Sequence, residues 1–186
     1  VHFMAETAKI LNPDKTVLLP DLEAGCSLAD SCPADRFQAF RSRYPGHVAI
    51  SYINCSAAVK ALSDIICTSS NAEKIINSVD RSRGIIFAPD QHLGRYLSKK
   101  TGRDMVLWPG ACMVHVIFSE RKLVQLKAHH PDAEVLAHPE CPPEVVAEAD
   151  FAGSTAAMAD YVTRERPGRV VLMTECSMSD NIAALN

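Results

Sequence analysis

Seven cysteines, seven histidines and a few hydroxyl and carboxylate side chains in small-residue turns are the chemistry-bearing groups of this 186-residue chain. Cys26, in Pro20-Asp21-Leu22-Glu23-Ala24-Gly25-Cys26, and Cys112, in Trp108-Pro109-Gly110-Ala111-Cys112, each follow a strand candidate and a small-residue turn. They lie 86 residues apart. An odd number of cysteines does not pair completely within one chain, and nothing in the sequence points to secretion, so thiolate chemistry is favoured over disulfides. No Cys-x-x-Cys pair occurs, which argues against a zinc ribbon, a thioredoxin-like site and a ferredoxin run. Three equivalent thiolates would leave one metal position open, and an open iron acts as a Lewis acid on a hydroxyl or carbonyl oxygen.

A second set of groups lies at predicted strand ends. Tyr52-Ile53-Asn54-Cys55 and His138-Pro139-Glu140-Cys141 are also 86 residues apart. Strand residues two apart share a face, so Tyr52 goes with Asn54 and His138 with Glu140. A His–Glu pair moves protons to and from a bound molecule; the plainer alternative is a packed histidine and a helix-capping glutamate. Ser69 in Thr68-Ser69-Ser70 and Thr155 in Gly153-Ser154-Thr155 repeat the offset of 86 at helix starts, where hydroxyls either cap the helix or join free N–H groups in holding an anion. His115, three residues after Cys112, is within reach of the same site or is a packed loop histidine. His129 and His130 end a helix and read as structural.

Short apolar strands alternate with helices and must position these groups. The strand candidates are Val17–Leu19, Val48–Ile53, Ile65–Cys67, Ile85–Phe87, Met105–Leu107, Val135–Ala137, Phe151–Ala152 and Val170–Met173. Pro33 opens one helix and Ser119 precedes another. The class is α/β, with small parallel sheets covered by helices on both faces. Asp90 and Glu175 follow equivalent strands at an offset of 85. The repeat divides the chain into residues 1–26, the end of a first α/β unit; 27–112, a second; and 113–186, an incomplete third. Another repeat step from Cys112 places a third cysteine roughly 12 residues past Asn186, so a three-unit protein is expected.

Apolar residues make up 47% and charged residues 22%, as in ordinary globular chains, and the net charge of −3 offers no basic face to nucleic acid. No apolar run reaches the roughly 20 residues that span a bilayer. A cytoplasmic protein acting on small molecules is expected, with no nucleic-acid or membrane partner.

Phe3-Met4-Ala5-Glu6 with Asn12-Pro13-Asp14-Lys15, Ile66-Cys67-Thr68-Ser69 with Asn71-Ala72, Pro89-Asp90 with Leu93-Gly94, His138-Pro139-Glu140-Cys141-Pro142 and Gly153-Ser154-Thr155 form a specific set of motifs. By them the chain resembles the quinolinate synthase family over nearly its whole length. It implies three pseudo-threefold-related α/β domains around a [4Fe–4S] cluster held by one cysteine from each, and condensation of iminoaspartate with dihydroxyacetone phosphate in NAD biosynthesis. By that resemblance Cys26 and Cys112 are cluster ligands. Tyr52, Ile53, Asn54, Ser69, His138, Pro139, Glu140, Ser154 and Thr155 hold the iminoaspartate-derived substrate, and Glu140, His138 and Tyr52 are the catalytic candidates. A contact with an iminoaspartate-producing enzyme is a further expectation. The family's N-terminal His and Tyr, its first-domain Ser and its third cysteine have no counterpart here. Two rivals are an iron–sulfur hydro-lyase on another hydroxy acid and a non-catalytic metal- or anion-binding module.

Overall fold

A computed structural model describes residues 1–185. The chain forms two compact units, Val1–Ala111 and a second that begins at Cys112. In the first unit the order is α1 (His2–Leu11), α2 (Ser27–Asp30), α3 (Ala34–Arg41), β1 (Val48–Tyr52), α4 (Ala57–Ala61), β2 (Ile65–Cys67), α5 (Ala72–Ser78), β3 (Ile85–Ala88), α6 (Gln91–Thr101) and β4 (Val106–Leu107). The second contains α7 (Met113–Val116), α8 (Glu120–His129), β5 (Glu134–Ala137), α9 (Pro143–Glu148), β6 (Phe151–Ala152), α10 (Thr155–Glu165), β7 (Val170–Met173) and α11 (Ser177–Leu185).

Every strand pairing is parallel. The sheets run β2-β1-β3-β4 and β6-β5-β7. β1 and β3 are buried throughout, as strands covered on both faces must be. In the second unit alternate residues divide between two cores: Val135 and Ala137 pack with Leu123, Val145 and Met173, while Leu136 packs with Met158, Val162 and Ile182. That alternation is the period of two of an extended chain, with a helix layer on each side. Phe37, Phe40 and Trp108 fill one face of the first unit against Ala49, Ile86 and Ala88.

The repeat is visible in the hydrogen bonds. Ile50 stands opposite Ile65, and 86 residues on Leu136 stands opposite Phe151. Asp64 exchanges bonds with Ala49: its carboxylate accepts the Ala49 N–H at 2.8 Å and its own N–H donates to the Ala49 carbonyl at 2.8 Å. Asp150 does the same with Val135 at 2.8 and 2.8 Å. Arg41 pairs with Asp64 at 2.7 Å and also donates to the Leu62 carbonyl. Lys127 pairs with Asp150 at 3.3 Å and donates to the Glu148 carbonyl at 2.8 Å. Each carboxylate thus ties the entry of one strand to the preceding helix.

Gly110 is where the backbone approaches most closely at a strand end. Its carbonyl accepts the Gln91 N–H at 2.9 Å, and a Cβ there would lie 2.5 Å from the Pro89 carbonyl oxygen and crowd the Ser31 hydroxyl.

Seven of the eight strand expectations match strands here, most within a residue at each end. The eighth, Val17–Leu19, is not a strand: Leu18 is 84% exposed, and the segment joins neither sheet. A three-residue apolar run has no strand stability without a neighbour to bond to. Among the described residues no helix is long and apolar enough to cross a membrane.

Candidate functional site

β5 delivers His138 and Glu140, but not by strand alternation. The strand ends at Ala137, and His138–Cys141 form a turn closed by the Cys141 N–H donating to the His138 carbonyl at 2.9 Å. Pro139 sits second in that turn, where its fixed φ suits the bend. The His138 N–H donates to the Met173 carbonyl at 3.1 Å, and the Cys141 thiol donates to the same carbonyl at 3.2 Å. The turn is therefore fastened to β7 at two points. His138 and Glu140 are each 2% exposed.

The sequence predicts that a helix-capping glutamate is the alternative role for Glu140, but α9 starts after Pro142 with no side-chain cap. Glu140 turns inward instead. Its Oε1 lies 3.5 Å from His138 Nδ1, and its Oε2 lies 3.3 Å from His115 Nδ1. The Glu140 N–H donates to His138 Nδ1 at 3.3 Å, which makes that nitrogen the acceptor and puts the ring proton on Nε2.

α7 supplies the other side. Cys112 is its N-cap, and His115 follows three residues later on the same face, with Nε2 3.1 Å from Thr174 Oγ1. The His115 and His138 rings lie 5.1 Å apart, tilted by 32°. Ligand atoms of Cys112, His115 and Glu140 lie within 4.8 Å of one another, and all three residues are buried.

The two histidines are driven apart in basicity. Burial pulls both down, but for His115 the hydrogen bonds to Cys112 and Glu140 and the Glu140 charge outweigh it, raising its pKa to about 9. Burial dominates at His138, where its pKa falls to about 4 despite the Glu140 charge, and the neighbouring His115 lowers it further. At neutral pH one ring is a cation and the other a neutral donor through Nε2, an arrangement suited to binding an anion and moving a proton beside it.

Tyr52 ends β1 and is buried; the Ile53 N–H donates to the Cys67 carbonyl at 2.8 Å, and Ile53 and Asn54 are half-buried. Ile53 and Asn54 line a cleft of about 310 Å³ with α1 residues such as Phe3, Thr7 and Leu11. Ser69 lies half-buried in the turn after β2, but neither it nor Ser70 opens α5 as the sequence predicts. The helix begins at Ala72 after Asn71, whose side chain is committed to the Thr68 N–H at 2.7 Å. Ser154 caps α10 by accepting the Ala157 N–H at 3.2 Å, and Thr155 is exposed at the first helical position. The anion-site and capping roles thus part company: Ser154 caps, while Ser69 and Thr155 do not.

Cys26 and Cys112 occupy equivalent places, each the extended N-cap of a four-residue helix whose fourth residue donates back to the cysteine carbonyl, at 2.9 Å from Asp30 and 3.0 Å from Val116. Spacing alone does not single them out, because Cys55 and Cys141 are also 86 residues apart. Surroundings do. Cys55 and Cys141 belong to the apolar cores, and burial pushes the thiols of Cys32, Cys55 and Cys67 up to about 12, 11 and 12. Thiols held protonated are poor metal ligands. Thr174 escapes sequence reasoning because its repeat equivalent is Pro89; a lone hydroxyl ending the apolar run Val170–Met173 is the signal that could have found it.

The two units are thus repeated parallel α/β units, and the second carries a buried thiol, imidazole and carboxylate beyond its strand ends, where ligands of such sheets bind. The family model for the quinolinate synthetase A protein matches residues 1–186, and the chain belongs to that family. It is 60% identical over 175 residues to a quinolinate synthase of Microcystis aeruginosa, 61% to one of Nostoc punctiforme and 62% to one of Thermosynechococcus vestitus. These alignments take in 94% of the chain and 54–55% of each relative, so the chain spans about half the length of the curated relatives it matches.

Proposed function

We propose that the chain works as part of a quinolinate synthase, joining iminoaspartate to dihydroxyacetone phosphate with loss of phosphate and water. The observation that carries this reading is the buried Cys112–His115–Glu140–His138 constellation in a chain about 60% identical to enzymes of that name.

The donor set suits a [4Fe–4S] cluster: Cys26 and Cys112 stand at matching helix starts following glycine-bearing turns, while burial keeps the thiols of Cys32, Cys55 and Cys67 protonated. Soft thiolates are the usual iron–sulfur ligands, and Cys26 and Cys112 would hold the cluster with a third cysteine from the rest of the whole protein. When bound, the cluster supplies an open iron as a Lewis acid for substrate oxygens.

The chain's own residues do the rest. Glu140 carries protons for the dehydration and tautomerisation steps, being an acceptor-only carboxylate buried beside two imidazoles. His138 donates through Nε2, since Nδ1 is occupied by the Glu140 N–H. The His115 cation beside Glu140 favours anionic substrate groups. Tyr52, Ile53, Asn54, Ser69, Pro139, Ser154 and Thr155 take the substrate-holding roles that the resemblance gives them. On the same reading the whole protein has three pseudo-threefold-related units, of which residues 1–26 end the first, and it is a cytoplasmic transferase that receives iminoaspartate from the enzyme producing it.

A second reading is a mononuclear metal site on Cys112, His115 and Glu140, favoured by the close approach of their ligand atoms. Anaerobic purification of the full-length protein with iron and sulfide analysis separates the two. Cys26→Ala and Cys112→Ala should each lose iron, sulfide and visible absorption, while Cys55→Ala, Cys67→Ala and Cys176→Ala keep them. Cys112→Ala with a normal cluster overturns the cluster assignment; iron or zinc without sulfide favours the mononuclear site.

A further inference from the structure

We propose that Thr174 is a positioning residue for Glu140, acting through His115: its hydroxyl engages Nε2 and so turns Nδ1 of the same ring onto the Glu140 carboxylate. Thr174 leaves the end of β7 and is 7% exposed; His115 is 6% exposed. The ring's Nε2 lies at hydrogen-bond distance, 3.1 Å, from Thr174 Oγ1, and its Nδ1 faces Glu140 Oε2 as a charge pair at 3.3 Å. A carboxylate only accepts, so the nitrogen facing it must carry a proton; a threonine hydroxyl both donates and accepts, and suits Nε2 in either form. Thr174 therefore fixes the orientation of the ring without dictating its charge. A ring turned over would bring a carbon toward the carboxylate. This is the arrangement by which a polar partner on the far nitrogen orients a working imidazole.

The same geometry explains why β7 ends in a hydroxyl. The strand fastens the His138–Cys141 turn through the Met173 carbonyl, and the next residue reaches the ring that contacts Glu140. The backbone and side chain of two successive residues thus set both ends of one proton-handling group.

The inference rests on the proposed role of Glu140, and the tests are chosen to fail separately from that role. In the full-length cluster-loaded protein, Thr174→Val removes the hydroxyl at nearly constant volume and should lower kcat by about 10- to 100-fold, the usual loss when an orienting partner is removed. KM for either substrate and iron content should stay within about twofold, because Thr174 is proposed to act through His115 and not on substrate or metal. Thr174→Ser should restore kcat to within about threefold, and in a Glu140→Gln background Thr174→Val should cost less than about twofold more, since two residues acting through one group are not additive. A crystal structure of Thr174→Val should show His115 Nδ1 turned out of hydrogen-bond reach of Glu140. Wild-type kcat in Thr174→Val, equal losses in the Ser and Val variants, or full additivity with Glu140→Gln overturns the proposal. Should Thr174→Val fail to accumulate, Thr174→Cys, of similar size and a weaker donor, must show an intermediate kcat; a wild-type rate overturns the proposal equally. If the unaltered protein forms no quinolinate, the functional reading falls, and the ring orientation in the Thr174→Val crystal alone decides this one.

Discussion

Glu140 lies between two imidazoles of opposite character, so its substitution separates proton transfer from binding. Glu140→Gln keeps the shape and the contacts to both rings but exchanges no proton. Steady-state kinetics of the full-length protein should show kcat falling ~10²- to 10⁴-fold with little change in KM or iron content. Near-normal turnover would leave Glu140 a structural acid. The cysteines make a second test at this scale. Thiols pushed up to 11–12 are ~10³- to 10⁴-fold short of full ionisation at pH 8, so Cys32, Cys55 and Cys67 should resist iodoacetamide in the native protein while exposed Cys176 is alkylated. Mass spectrometry of timed samples reads this directly, and early labelling of Cys67 would contradict its burial. The sequence showed which residue types lay at strand ends but not which way they turned. Alternation along a strand suggested the His138–Glu140 pairing, and a proline turn produces it instead. Thr174 and the pairing of His115 with Glu140 depend on contacts 59 and 25 residues away in sequence, which no local pattern encodes.

The aspartates just before β2 and β6, which bond across to β1 and β5, matter at the level of elements. Asp64 satisfies the N–H of fully buried Ala49 and anchors Arg41, so Asp64→Ala leaves a buried donor unpaired and should cost about 1–3 kcal/mol. Asp64→Asn keeps an acceptor and should cost less than half of that, the exposed ion pair contributing little. Urea unfolding midpoints of the two variants rank them, and equal midpoints would show that the amide bond to Ala49 is dispensable. Asp150 should behave alike toward Val135. The strands were legible because continuous apolar runs bounded by turn residues are what a doubly covered parallel sheet requires. The clamps were not, since an aspartate near a strand resembles any surface charge until its partner N–H is seen. Val17–Leu19 has a strand's composition but lacks the neighbour that would make it one.

At the scale of the whole chain the described strands form one kind of unit twice, and stability should follow the position of each strand. β1, β3 and β5 are bonded on both sides, whereas β2, β4, β6 and β7 are edges. Hydrogen exchange should therefore protect the amides of Val48–Tyr52, Ile85–Ala88 and Glu134–Ala137 longest, with residues 12–26 exchanging first. Slower exchange at Phe151–Ala152 than at Glu134–Ala137 would contradict this order. The offset of 86 was readable because equivalent positions kept residue types as well as spacing, and it drops to 85 at β3 and β7.

Gly110 touches no candidate ligand, yet the chain reaches Cys112 only through it. A methyl group there would drive the turn away from the Pro89 carbonyl and break the hold that Gln91 keeps on it. Gly110→Ala should therefore yield folded, iron-poor protein with every sulfur and carboxylate intact. A search for inactive variants that inspects donor atoms alone would pass it as harmless: the address of the thiol is written in an empty space two residues upstream.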